Sequence, residues 1–140
     1  NEIASIAQVM AQVTGTLFSE FAARRPAGDA LVGLRQALLL ITAAVEAGDL
    51  AALVQARQAF FEHPSESIDN DFTANLLRGL SGAARRLMVK ASRNPDFDAA
   101  DTRRCAQALF DATAAHDGER ARQILSAALR RDAVLASSVG

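Results

Sequence analysis

Apolar residues recur along this chain at three- and four-residue intervals and almost never in alternation. The first segment places Ile3, Ile6, Met10, Val13, Leu17 and Phe21 on one stripe, with Arg24 and Arg25 in its last turn and Pro26 as its stop. A second helix is predicted from about Ala30 to Ala47 on Leu31, Leu34, Leu38 and Ile41, closed by Gly48. Asp49 then caps a third helix carrying Leu50, Leu53, Val54, Phe60 and Phe61, which Pro64 ends or disturbs. Asp69 or Asn70 is the expected cap of a fourth helix with Phe72, Leu76, Leu80, Ala83 and Leu87 on its apolar row. "SRNPDFD" reads as a loop. A fifth helix reaches about Ala115, and a sixth runs from Gly118 to about Ala136 on Ala121, Ile124, Leu125, Ala128 and Leu129. The pattern predicts one all-α domain over 1–140, an antiparallel bundle of six to seven helices with short loops.

Composition sharpens that picture. The 140 residues suit one domain and one core; half are hydrophobic, but aromatics are limited to seven Phe. Fifteen basic residues against sixteen acidic ones leave a net charge of −1, which argues against nucleic-acid binding by this segment itself. The lone Cys105 cannot staple the fold, so a reducing cytoplasm is expected, with Cys105 a buried inert thiol. The longest mainly apolar run, "ALLLITAAV", is too short to span a bilayer, and no membrane association or signal peptide is expected. Because the sequence starts at Asn1, it is expected to be a fragment or a processed product.

Little chemistry is visible. Phosphate-binding glycine loops are absent, neither His63 nor His116 follows a Glu at i−3, and Cys105 has no sequence-level nucleophile partner. An enzyme is therefore not expected. His63, beside Pro64, reads as a solvated helix-end residue; His116 closes the fifth helix, where an imidazole suits the helix C-terminus. Arg57 is the exception. It is the only charge in the stripe Leu50, Leu53, Val54, Arg57, Phe60, Phe61. Two readings stay open: an arginine snorkelling along the core to water, or a cation at the mouth of an apolar cavity waiting for a carboxylate.

The motifs then suggest a relationship. "RQAFF" (Arg57 to Phe61) matches D-x-x-F-H at Phe60, and "IDNDFTANLL" matches an Asn-led helix start through Asn70. "AQALFDATAAHDGERAR" (Ala106 to Arg122) keeps Leu109, Phe110, Ala112, Asp117, Ala121 and Arg122 in register with H-x-x-[IL]-L-x-A-[IL]-x-x-G-D-x-x-x-A-R. The chain thus resembles the effector-binding C-terminal domain of the FadR subfamily of GntR transcription regulators. Many such domains hold a divalent metal through an Asp and three His. The matching positions here are Arg57, Phe61, Ala106 and Ala128, none of which suits a metal. Ala11 and Gly15 stand roughly where the family's R-x-x-x-E pair lies. The resemblance implies an effector-binding and dimerisation domain without metal or cofactor, whose DNA contacts belong to an N-terminal winged-helix domain outside this chain. Its expected partners are a second copy and a small organic acid. The acid would sit on Arg57 against Phe61, Ala106 and Ala128, with Asn75 as a second polar contact. The rivals are a degenerate dimerisation module whose pocket Phe61 fills, and the ligand domain of a TetR-type regulator.

Overall fold

The computed structural model describes residues 2–24, 28–67 and 71–139. The expected Pro26 stop and the expected Asp69 or Asn70 cap lie outside them. The described residues form six α-helices and one short 3-10 turn, without a strand: α1 (Glu2–Ala23), α2 (Gly28–Ala47), α3 (Leu50–Glu62), the turn His63–Glu66, α4 (Asp71–Ser92), α5 (Ala99–Ala114) and α6 (Gly118–Ser137). α6 runs through the middle of the bundle and packs against α1, α4 and α5; α2 packs against α3 and α5.

Two connections share one design. Gly48 and His116 both adopt the left-handed backbone conformation, at φ 65° and 61°. In each case the next residue's N–H reaches back to the carbonyl five residues earlier, Asp49 to Ala44 at 3.1 Å and Asp117 to Ala112 at 2.9 Å. These are Schellman closures of α2 and α5. The same aspartates then start the following helix. Asp49 accepts from Ala52 N–H at 3.0 Å and Asp117 from Arg120 N–H at 3.1 Å. A single residue thus ends one helix and begins another, which turns α2–α3 and α5–α6 into tight helical hairpins. The α4–α5 loop is tied down differently. Asn94 is buried, donates to the Leu135 carbonyl at 3.0 Å and accepts from Asp96 N–H at 2.8 Å, and Asp98 caps α5 through Ala100 N–H at 3.0 Å.

The core follows the expected stripes of α1, α2 and α6, and that of α3 from Leu53 onward; Leu50, expected on the α3 stripe, lies in its first turn and is 45% exposed. Phe18 stacks on Phe60 with centroids 5.9 Å apart, and Leu17, Leu34, Ile41, Leu53, Leu109 and Leu125 are fully enclosed. Three other expectations change. On α4 the buried row is Thr73, Leu77, Leu87, Met88 and Ala91, so Phe72 and Leu76 face outward, Phe72 at 73% exposure. The helix has two adjacent apolar rows, and periodicity alone does not say which one meets the chain's own core. His63 is not a solvated end. Its Nε2 lies 3.2 Å from the Ala30 carbonyl, its ring meets Phe21 edge-on, and it fits over Gly33, where a Cβ would come within 2.5 Å of it. Finally, α2 counted as a whole helix, rather than as an unbroken apolar run, is 20 residues and apolar enough by length and composition to cross a membrane. In the bundle its Leu34, Leu38 and Ile41 row is core, while Val32, Leu39 and Leu40 stay exposed.

Candidate functional site

The three elements around Arg57 frame a cavity of about 380 Å³ that opens to solvent on one side. α3 supplies Arg57 and Phe61 to its wall, α5 supplies Thr102, Cys105 and Ala106, and α6 supplies Ile124, Ala128, Asp132 and Leu135. The α4–α5 loop, held to α6 by Asn94, forms part of its rim with Asp96 and Phe97. The volume falls within the range of small-molecule sites, and the aliphatic wall with a few convergent polar groups has their character. Ala106 and Ala128 both line it, and their small side chains leave space there. Phe61 does not fill it; its ring lies beneath the Arg57 guanidinium, 4.8 Å from centroid to Cζ.

Arg57 is 6% exposed, so it does not snorkel to water. Nor does it wait unpaired. Its Nη2 donates to Oδ2 of Asp132, itself 6% exposed, and its Nη1 is turned to the Met88 sulfur. An isolated buried guanidinium is heavily penalised, and an internal carboxylate removes that penalty. The expectation of a free cation is corrected accordingly: the chain supplies its own anion. Asp132 was legible by the rule that singled out Arg57. It lies on the α6 stripe with Leu125, Leu129 and Ala136, the one acid among buried apolar residues. The ion pair also partitions space: on its α4 side is a second, much smaller cavity of about 30 Å³, bounded by Leu77, Leu87 and Met88.

Asn75 is a second correction. It is exposed on α4, its Oδ1 accepts from Arg78, and it lines neither cavity. The face of α4 that carries it points away from α3 and α6. The other four expected residues, Arg57, Phe61, Ala106 and Ala128, line one cavity together.

At the rim, Arg131 pairs with Asp101 at 3.3 Å, and Arg104 pairs with Asp101 and with Asp98, the latter at 3.5 Å. Those carboxylates push the Arg104 pKa up. The Cys105 thiol is pushed up as well, chiefly by burial; Asp132 adds to this and Arg57 opposes it. Cys105 is half-buried rather than buried as expected, and with its pKa raised the protonated thiol is a poor nucleophile. Among the described residues, no three His, Cys, Asp or Glu side chains are grouped to hold a metal. A guanidinium, a phenyl ring and two methyls at Arg57, Phe61, Ala106 and Ala128 cannot ligate one either.

The model of the FCD domain matches residues 6–131, nearly the whole chain. The chain belongs to the FCD domain family. FCD domains are the effector-binding C-terminal domains of GntR-family regulators such as FadR, so the TetR-type alternative falls away. These are regulatory rather than catalytic domains; they bind small-molecule effectors and regulate DNA binding. A search of the curated proteins gives no match. On this FCD domain, Gly15, at one of the positions where α1 departs from the family pattern, is buried under the Arg122 side chain, whose Cγ would lie 3.2 Å from an added Cβ.

Proposed function

We propose that this FCD domain is the metal-free sensor of a cytoplasmic bacterial transcription regulator. It holds a small organic acid in the cavity between α3, α5 and α6. The carrying observation is that Arg57, Phe61, Ala106 and Ala128 converge on one cavity of about 380 Å³ with no metal donor among them. The effector's apolar part packs on the two alanines, Ile124 and Leu135, and its acid meets the Arg57 end. Because α6 touches α1, α4 and α5, a ligand that shifts it biases most of the bundle at once. The domain works as a homodimer, and DNA is contacted by a winged-helix domain outside this chain. The outward Phe72 and Leu76 on α4 and Val9 on α1 supply apolar surface for the partner copy.

Filling the cavity tests the reading. Ala128→Trp, at a half-buried wall position, should leave a folded helical domain whose melting temperature no longer responds to compounds that raise it in the wild type. Unchanged thermal shifts in that variant would place the ligand elsewhere.

A further inference from the structure

The charge balance of the cavity wall restricts which acid enters it. The wall holds three arginines, Arg57, Arg104 and Arg131, against four aspartates, Asp96, Asp98, Asp101 and Asp132. Every one of the three cations already has a carboxylate partner. There is no surplus positive charge for a simple anion to neutralise.

The inner end of the cavity is more restrictive still. Arg57 and Asp132 are both nine-tenths buried and both line the space. Their contact is single-point, Nη2 to Oδ2, rather than a two-pronged fork. The pair therefore presents a donor and an acceptor side by side. A monocarboxylate taking the guanidinium would strip Asp132 of its cation and leave a buried carboxylate without a counter-charge, the most heavily penalised arrangement available. A simple cation would orphan Arg57 in the same way. A ligand carrying both charges exchanges with the pair and orphans neither.

We infer that the effector is a zwitterion of the α-amino-acid class with an apolar side chain. Its carboxylate accepts from Arg57, its ammonium donates to Asp132, and its side chain packs against Ala106, Ala128, Ile124 and Leu135. Asp132 is then the specificity-determining residue that rejects the matched acid without the amine. This rests on the cavity being the effector site.

The standard amino acids, screened by thermal shift and then by calorimetry, identify the tightest apolar binder. That binder is compared with its des-amino acid and its decarboxylated amine, for phenylalanine 3-phenylpropanoate and 2-phenylethylamine. The wild type should bind the amino acid at least tenfold tighter than either. In Asp132→Asn that advantage over the des-amino acid should vanish or invert, because Arg57 has lost its internal anion. The wild-type comparison stands alone if the variant does not fold. Silence toward all the amino acids overturns the inference, as does a des-amino acid or amine that binds as tightly. If such an acid binds and Ala128→Trp abolishes its binding, the zwitterion fails while the effector cavity stands. Amino-acid binding that survives Ala128→Trp removes both.

Discussion

At the scale of single residues, a charge inside an apolar stripe is the most informative signal this sequence carries, and its meaning depends on a second residue 75 positions away. Arg57 alone suggests that truncation would relieve a buried charge. With Asp132 beside it the sign reverses. Arg57→Ala leaves a buried carboxylate without its cation and should destabilise the domain by about 3–5 kcal/mol in urea unfolding. Replacing both members, as Arg57→Met with Asp132→Leu, removes the orphan along with the pair and should recover most of that loss, to within about 1 kcal/mol of wild type. A double variant as unstable as Arg57→Ala would mean that the pair contributes through geometry rather than charge balance. Sequence reading found Arg57 and missed Asp132 for a specific reason: "RRDA" looks like a solvated charge run until residue 132 is placed on the helical row of Leu125 and Leu129.

At the scale of elements, what was legible is what local chemistry decides. The Gly48 stop, the Asp49 cap and the stripes of α1, α2 and α6 follow from periodicity and capping, and the structure has them, as it has the α3 stripe from Leu53 onward. α4 was legible as a helix but not in its orientation, since large apolar residues fall both on the outward Phe72–Leu76 row and on the inward Leu77–Leu87–Met88 row. Asn75 was misplaced in consequence. The wedging of His63 over Gly33 was not legible either, since it depends on how the turn after α3 meets α2. The two hairpin closures offer a cleaner comparison. Gly48 and His116 occupy equivalent left-handed positions, but only glycine does so without strain. His116→Gly should therefore stabilise the domain by about 1 kcal/mol, seen as a higher urea midpoint at unchanged slope. A lower midpoint would show that the exposed imidazole contributes more at the end of α5 than its backbone strain costs.

At the scale of the whole molecule, the FCD domain joins the proposed effector cavity to apolar surfaces that have no cover within one copy. Among the described residues, Phe72 at 73% exposure is the largest apolar side chain left in solvent. Sedimentation at micromolar concentration should give a mass near twice 14.8 kDa, and Phe72→Asp with Leu76→Asp should reduce it to that of one chain with little change in helicity. A wild-type monomer, or a dimer that ignores both changes, would count against that surface. The proposed effector meets the cavity at Arg57 and Asp132. Backbone and arginine side-chain NMR of the wild type, titrated with the compound giving the largest thermal shift, tests this most directly. The largest perturbations should fall on the Arg57 Nε–H and on the amides of Thr102, Ala106 and Ala128, with smaller ones along the rest of α6. Perturbations confined to the outer face of α2 or α4, with the Arg57 signal unmoved, would contradict it.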